Sequence, residues 1–227
     1  MTTSGTYAFA PGLGELVIYS YQNIGVRPTA LLQEHMDSAR MATNMMLARW
    51  ANQGVNLWCV DLVTTPLVTG QTTYPVDGTT VMILDAYIEE ENNIDRIIMP
   101  VSRTEYASYP NKQQEGFPTV FWFDRLISPT VTIWPVPNVD NAPKSLKYYR
   151  VRQIQDSNLQ NGQNVEIPYM WLEAFSDGLA YRLARIWNPQ IAVALKGQAD
   201  ESYAIAAAQN VEQAATYISP MLSGYWR

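Results

Sequence analysis

The sequence predicts an α+β fold in which the N- and C-terminal helices pack together as a helical bundle with an inserted, mostly antiparallel β domain. Apolar residues recur at helical spacing towards both ends of the chain. Between about residues 56 and 155 the pattern changes to short runs of β-branched and aromatic residues, separated by Gly, Pro, Asn and Asp. The connections between these runs are too short for crossover helices, which favours antiparallel pairing of about six or seven strands.

These patterns divide the 227 residues into four parts. Residues 1–12 are an N-terminal arm that is too short and too mixed to fold alone. Residues 13–54 plus 167–218 form a helical domain, residues 55–166 form a β domain, and residues 219–227 are a C-terminal tail. The chain shows neither a signal-peptide pattern nor a run of about 18 apolar residues. We therefore expect a protein made in the cytoplasm that stays there or is assembled there into something larger.

Composition and charge favour protein partners over nucleic acid. Apolar residues make up 47% of the chain and charged residues 16%, as in ordinary soluble proteins. The 14 tyrosines and 7 tryptophans are typical of proteins that form interfaces. The net charge of -6 argues against tight binding to the phosphate backbone over a broad surface, because that affinity comes from Lys and Arg displacing counterions.

Two helices are predicted in the N-terminal part of the chain. The first begins at Leu13 and has Gly25 at the position after its C-cap. The second opens at Pro28 and ends at Gly54. The only histidine, His35, flanks its apolar stripe and is interpreted as a residue at a helix–helix contact. The stripe consists of Leu32, Met36, Ala39, Thr43, Met46 and Trp50.

Aromatic residues, prolines and turn residues concentrate in residues 103–137. Residues 119–124 and 130–134 predict the two strands of a hairpin, which follows a single polar turn of helix. Alternation along the second strand places Val131 and Trp134 on opposite faces, so at most one of those faces can belong to the core.

The C-terminal part predicts two further helices. One begins at Pro168 and is broken at Asn188 and Pro189; the other runs from about residue 190 to residue 218, before Pro220. The apolar face of the first consists of Leu172, Phe175, Leu179, Leu183 and Ile186. The second has a face of mostly small residues, which allows another helix to approach closely: Leu195, Ala199, Tyr203, Ala207, Val211, Ala214 and Ile218.

No motif for catalysis or cofactor binding is present in the sequence. A single histidine and a single cysteine, Cys59, cannot supply a zinc site or a histidine-based triad, and phosphate-binding glycine motifs are absent. We therefore predict a protein that is not an enzyme and needs no cofactor or metal. Asp85, Glu89, Glu90 and Glu91 cluster near the end of a predicted strand and are interpreted as a solvated hairpin turn.

The densest basic group is Lys144, Lys147, Arg150 and Arg152. Alternation puts Arg150 and Arg152 on the same strand face as Tyr148. A solvated or salt-bridged sheet edge is the favoured interpretation of this group, with a small phosphate contact as the alternative.

Three stretches together resemble one protein family. They are ATNMMLARWANQGVNLW (42–58), SRTEYASYPNKQQEGFPTVFWFDR with IWPVP (102–137), and IPYMWLEAFSDGLAYRLA (167–184). Their motifs occur in the order and spacing of the head-to-tail adaptor proteins of tailed bacteriophages, a group that includes podovirus tail tubular protein A. The resemblance covers about residues 13–215, and both ends of the chain lie outside it.

This resemblance implies a non-enzymatic virion protein of the neck. As in other members of that family, about twelve copies are expected to form a homo-oligomeric ring between the capsid portal and the tail or nozzle protein. DNA is expected to pass through the lumen without sequence-specific binding. No membrane is involved. The residues expected at ring and tail interfaces are Tyr106, Tyr109, Trp122, Trp134, Arg150 and Arg152. For the tail, docking on the portal through Met221, Leu222, Tyr225 and Trp226 and folding back onto its own domain both stay open.

Two other functions fit parts of the sequence. A carbohydrate-binding or receptor-binding β module of a tail is suggested by Trp122, Trp134 and Tyr148, although such modules seldom need so many helices. A carboxylate-based hydrolase is suggested by Asp85 and Glu89, and is the weaker of the two.

Overall fold

A curled sheet organises the chain, and most of its helices pack against one side of that sheet. The computed structural model describes residues 3–54, 56–90, 93–138, 145–159 and 162–211. Within these residues there are five α-helices: α1 (Leu13–Asn23), α2 (Gln33–Gln53), α3 (Arg103–Ser108), α4 (Leu172–Trp187) and α5 (Ala192–Gln209). The strands are β1 (Val60–Pro66), β2 (Thr73–Pro75), β3 (Thr80–Glu89), β4 (Asp95–Pro100), β5 (Val120–Asp124), β6 (Thr130–Trp134) and β7 (Ser145–Arg152).

The seven strands form one sheet in the order β1-β7-β3-β4-β5-β6-β2. All neighbouring pairs are antiparallel except β4 and β5, which are parallel. The antiparallel β5–β6 pair confirms the predicted hairpin. Every strand contributes to a single apolar cluster, which requires the sheet to curl around its own core. Its fully buried members include Ile88, Ile98, Ile133 and Leu146.

A second apolar cluster lies between the helices and the sheet. On α1, α2 and α4 it contains Leu13, Met46 and Leu179, and the sheet supplies Val151 from β7. Its centre is aromatic: the ring of Trp171 lies 5.0 Å from that of Trp50.

A β-bulge allows β3 to serve both clusters. Met82 and Leu84, at the start of the strand, pack against the helical cluster, whereas Ala86 and Ile88 are buried in the sheet cluster. These four positions would share one face of a regular strand. The pairing of β3 with β7 shifts between Ile83 and Ala86, and this extra residue turns the later side chains to the opposite face.

The predicted arrangement of a terminal helical bundle with an inserted β domain is therefore wrong. The chain is α+β with a mostly antiparallel sheet, but the sheet is the central element, and the helical cluster is completed by Val151 and Met82 of that sheet. Helix α3 also lies inside the β region and not at either end of the chain. Periodicity separated helical from strand segments, but it carried no signal that one bulged strand faces two cores.

Two helix boundaries also differ from the predictions. Residues Pro28–Ala30 form a separate 3-10 turn, so α2 begins only at Gln33. Leu32 is therefore 62% exposed, and His35 takes the buried position in the first turn. On α4 the predicted apolar face is buried at Phe175, Leu179 and Leu183, whereas Leu172 is half-buried and Ile186 is exposed.

Helix α5 packs against α4 through small side chains, and its buried residues are Ala192, Ala199, Ser202 and Ala206. Of the predicted face only Ala199 is among them; Leu195, Tyr203 and Ala207 are half-buried, and Val211 is 64% exposed. The predicted continuation of this helix to residue 218 and the tail of residues 219–227 lie outside the described residues.

Candidate functional site

Alternation along the β5–β6 hairpin separates its core face from its outer face. Phe121, Val131 and Ile133 are buried in the sheet cluster. Trp122 and Trp134 each lie one position further along their strand than a buried residue, and they are half-buried on the other face. The sequence prediction that Val131 and Trp134 face opposite sides is confirmed, and Val131 is the one that faces the sheet core.

Four of the predicted interface residues meet on this outer face. The ring of Tyr106 stacks on Trp122 with centroids 5.4 Å apart, and Tyr109 packs on Trp134 at 4.4 Å. Tyr106 and Tyr109 contact each other edge to face at 6.1 Å. The four rings thus form a continuous half-buried row, which we call the aromatic cluster. Burial raises the pKa of the Tyr106 hydroxyl above its ordinary value.

Helix α3 carries the two tyrosines, and polar contacts within its own segment stabilise both of its ends. The Ser102 hydroxyl caps its start by accepting a hydrogen bond from the Glu105 N–H at 3.1 Å. At its end, the Lys112 ammonium donates to the carbonyl oxygens of Tyr106, Ala107 and Tyr109. These contacts make the aromatic cluster a built surface and not a chance grouping of exposed rings.

The hairpin strand is also tied to the segment that follows α3. The Trp134 indole Nε1 donates to the Asn111 carbonyl oxygen at 3.0 Å. The Lys112 ammonium lies 5.0 Å from the centroid of the Tyr106 ring, within the range of a cation–π interaction. Since the faces of Trp122 and Trp134 are already partly covered by tyrosines, neither presents an open platform for stacking on a ligand.

Arg150 is engaged by partners from its own chain. Its Nε donates to Asp61 Oδ1 at 2.8 Å and its Nη1 donates to the Thr80 hydroxyl at 3.0 Å. The hydrogen bond that Arg150 donates to Asp61 raises the pKa of the arginine, against the opposing effect of burial. In the order of the sheet, β3 and β4 separate its strand β7 from β5, so Arg150 lies apart from the aromatic cluster.

Arg152 continues the same face of β7 and pairs with Glu166. Its Nη1 lies 2.9 Å from Glu166 Oε2, and that oxygen also accepts a hydrogen bond from the Gln155 N–H at 2.8 Å. The hydrogen bonds from Arg152 hold the pKa of Glu166 below its usual value, although burial works in the other direction. Of the two interpretations of the basic group, these contacts match the salt-bridged one, but the predicted position at a sheet edge is wrong because β7 lies between β1 and β3. Lys144, the first member of that group, lies outside the described residues.

The acidic residues at the end of β3 are held by cations of neighbouring strands. Glu89 accepts from the Ser145 hydroxyl at 2.6 Å and pairs with Lys147 at 3.0 Å. Glu90 pairs with Arg96 of β4. Asp85 is exposed on the strand, and residue 91 lies outside the described residues.

The single histidine lies at a contact between three helices. His35 accepts a hydrogen bond from the Leu32 N–H at its Nδ1, 3.1 Å away, and so caps the start of α2. Its ring stacks on Trp187 of α4 at 4.0 Å and meets Tyr21 of α1 edge to face at 5.5 Å. The interpretation of His35 as a helix-contact residue is confirmed.

Two other residues named from the sequence are buried. Cys59 is 1% exposed in the helical cluster, and burial raises the pKa of its thiol to about 11. Tyr148 is 2% exposed in the sheet cluster and forms no surface with Trp122 and Trp134. The four tail residues expected at the portal, Met221, Leu222, Tyr225 and Trp226, lie outside the described residues.

Sequence reasoning missed a set of charges on the helices. Glu173 and Asp177 are four residues apart on α4, and Arg182 and Arg185 are three residues apart on the same helix. This spacing places like charges on one helix face, which is the signal that would have found them.

A search for groups of three or more His, Cys, Asp or Glu side chains that could hold a metal ion finds none in the described part of the chain. Likewise, none of the helices described there combines the length and the apolarity needed to cross a membrane. Neither a scan against protein-family models nor a search of curated proteins finds a match to this chain.

Proposed function

We propose that the protein is a virion structural adaptor of a tailed bacteriophage. About twelve copies form a ring that joins the capsid portal to the tail or nozzle protein, and the genome passes through the lumen. The protein acts through surface complementarity and carries out no chemical step.

One observation carries this proposal: the residues of the adaptor-like stretches are those that build the aromatic cluster and the helical core. The motif EYAS.PNK supplies Tyr106 and Lys112, and the strand ending in DR with WPVP supplies Trp122 and Trp134. The first and third stretches supply Trp50 and other rings that pack around Trp171. The residues that carry the resemblance are packing residues. This fits a protein family whose members share a structural role and not a catalytic site.

The charge of the chain suits a channel for DNA. With a net charge of -6 per copy, a closed ring repels the phosphate backbone on average, so the genome is not held by counterion release and can slide. The half-buried aromatic cluster suits contact with a neighbouring copy or the tail, since Tyr and Trp bury large areas at little entropic cost.

The test is assembly. We expect the purified protein, alone or with its cognate portal, to form rings that negative-stain electron microscopy and mass photometry detect. Persistence as a monomer under both conditions would falsify the proposal. Deleting residues 220–227 is expected to weaken co-sedimentation with the portal while circular dichroism stays unchanged; unchanged docking favours a tail that folds back.

The contribution of the aromatic cluster can be tested separately. Tyr109→Ala exposes one face of Trp134 and removes a ring from the proposed interface, so we expect weaker ring or tail binding. The matched control is Tyr169→Ala, because Tyr169 is 74% exposed and lies outside the aromatic cluster. Equal effects of the two substitutions on assembly would show that the aromatic cluster is not part of the interface, and the proposal of a ring would not be affected.

A further inference from the structure

The ion pairs of the described structure lie in the sheet region and not on the large helices. All ion pairs within 4.0 Å in the described part of the chain join residues of the sheet and its adjoining loops, among them Arg150 with Asp61 and Arg152 with Glu166. In that part of the chain no ion pair involves a side chain of α2, α4 or α5. The charges of these three helices are therefore not neutralised by ion pairs within the described structure.

Three arginines form a basic face on α2 and α4. Arg49 and Arg182 line a hollow between α2, α4 and α5, and Arg185 lies one turn further along α4. Burial lowers the pKa of Arg182, and the positive charges of Arg49 and Arg185 lower it further. One carboxylate, Asp200, lines the same hollow but lies beyond ion-pair distance of each arginine. We call Arg49, Arg182 and Arg185 the basic face.

Three carboxylates line a groove between α1, α4 and α5. The groove has a volume of about 510 Å³ and contains Glu173, Asp177 and Glu201, which we call the acidic groove. Burial raises the pKa of Asp177, and the charge of Glu173 raises it further. Among the described residues no Lys or Arg lines the groove, so the three carboxylates repel one another and favour a cationic occupant.

The two surfaces lie on opposite sides of the α4–α5 pair. The acidic groove is bordered by Tyr19 of α1, and the hollow of the basic face by Trp50 of α2. Arg182 follows Glu173 by nine residues, which is about two and a half helical turns, so the two side chains lie on opposite sides of α4. Because the charges point away from each other, they cannot neutralise one another within one chain.

Exposed apolar side chains accompany both sets of charges. Met45, four residues before Arg49 on α2, is 60% exposed, and Ile186, four residues after Arg182 on α4, is 57% exposed. Tyr19 and Ile205, which line the acidic groove, are 53% and 62% exposed. Each surface thus combines an apolar patch with charges of one sign, and the signs are opposite.

We propose that the basic face of one copy docks onto the acidic groove of the next copy around the ring. This proposal rests on the ring proposed above and assigns the surfaces that meet within it. Two different, complementary surfaces on opposite sides of one subunit form a head-to-tail contact, which is the type of contact that closes into a ring. Charge complementarity determines which surface of one copy meets which surface of the next, and the contact also covers the flanking apolar residues.

The test uses two charge-reversed variants at exposed positions. The first, Arg49→Glu with Arg185→Glu, makes the basic face acidic on balance and keeps Arg182. The second, Glu173→Lys with Glu201→Lys, makes the acidic groove basic on balance and keeps Asp177. Either variant alone brings like charges together, so we expect its ring assembly, measured by mass photometry, to be weakened at least about tenfold. Mixed in equal amounts, the two are expected to assemble again, because every contact then joins opposite charges.

Matched controls separate this contact from general effects of charge. Arg27→Glu with Arg40→Glu, and Glu34→Lys with Glu115→Lys, make the same changes at exposed residues outside both surfaces and should assemble like the parent protein. Thermal unfolding followed by circular dichroism checks that each variant is folded.

The outcomes distinguish this contact from the ring itself. Assembly of both single variants at the parental level, or failure of their mixture to assemble, overturns the pairing of these two surfaces while the ring stands. A parent protein that forms no ring with or without portal overturns the ring, and the pairing with it.

Discussion

At the scale of single residues, Lys112 joins the end of α3 to the chain that follows it. Its ammonium donates to the carbonyl oxygens of Tyr106, Ala107 and Tyr109 at 2.9, 3.1 and 2.8 Å. Lys112→Met keeps the length of the side chain but removes these bonds and the positive charge at the helix end. We expect the free energy of unfolding, measured by urea denaturation, to fall by about 1–2 kcal/mol.

Lys196→Met is the matched control for this substitution. Lys196 is exposed on α5 and forms no ion pair within the described residues, so its replacement should change the free energy of unfolding by less than about 0.5 kcal/mol. Near-ultraviolet circular dichroism should change only for Lys112→Met, since that lysine holds the end of α3, which carries two rings of the aromatic cluster. Equal losses for both variants would mean that Lys112 does not fix α3.

Glu166 links the stability of the fold to pH. Its pKa lies below the usual 4.5 because Arg152 donates hydrogen bonds to the carboxylate. The contribution is therefore present above pH 4.5 and is lost as the pH falls through the lowered pKa of the folded state. Glu166→Gln should lower the free energy of unfolding at pH 7 by about 1 kcal/mol and flatten its decline below pH 4.5.

The exposed residue Glu115 supplies the comparison for this substitution. Glu115→Gln should change the free energy of unfolding at pH 7 by less than about 0.5 kcal/mol, because this carboxylate has no ion pair in the described structure. If Glu166→Gln shows the same acid decline as the parent, Glu166 does not contribute through its ionised form.

At the scale of elements, the contact of α2 with α4 depends on the absence of a side chain at Gly178. A Cβ at this position would lie 2.7 Å from the Sδ of Met46, which is 2% exposed. Alanine gains about 1 kcal/mol of helix propensity over glycine, but overpacking a buried site costs about 1–3 kcal/mol. We expect Gly178→Ala to lower the free energy of unfolding by about 1 kcal/mol.

A double-mutant cycle tests the cause of this loss. Met46→Ala removes the atoms that a Cβ at Gly178 would meet, so Gly178→Ala should become stabilising in that background, by up to about 1 kcal/mol. Urea denaturation of the four variants measures the coupling. A Gly178→Ala effect that is the same in both backgrounds contradicts the steric explanation.

The elements that the sequence predicted well are those specified by local spacing. The stripe through Leu179 and Leu183 predicted α4, and the alternation from Thr130 to Trp134 predicted a strand of the hairpin. Met46 and Trp50 were correctly placed in the core of α2 by the same reasoning. Local spacing fixes which face of an element is apolar, whichever partner eventually covers that face.

The features that the sequence did not predict depend on contacts between distant residues. The parallel pairing of Met99 with Val120 and the bulge near Ile83 change the architecture, yet neither is marked by a local motif. Arg150 was named as an interface residue, but its partner Asp61 lies 89 positions away. The aromatic rings of the candidate site were identified, but their meeting depends on α3 folding over the hairpin.

At the scale of the whole molecule, two apolar clusters share the strands β3 and β7. On β3, Met82 faces the helical cluster and Ile88 the sheet cluster, and on β7 the corresponding residues are Val151 and Leu146. If β3 or β7 loses its packing against one cluster, its pairing within the sheet is weakened, and the side chains that it contributes to the other cluster are then no longer held in place. We therefore expect the two clusters to unfold together.

This coupling can be measured by hydrogen exchange with mass spectrometry across a urea series. Leu179→Ala in the helical cluster and Ile133→Ala in the sheet cluster each remove a fully buried side chain and should cost about 2–5 kcal/mol. Each should shift the exchange of peptides from both α4 and β5–β6 to lower urea, whereas Leu126→Ala, at a side chain that is 60% exposed, should shift neither. If Leu179→Ala shifts the α4 peptides alone, the helices unfold as a separate unit and the shared strands do not couple the two cores.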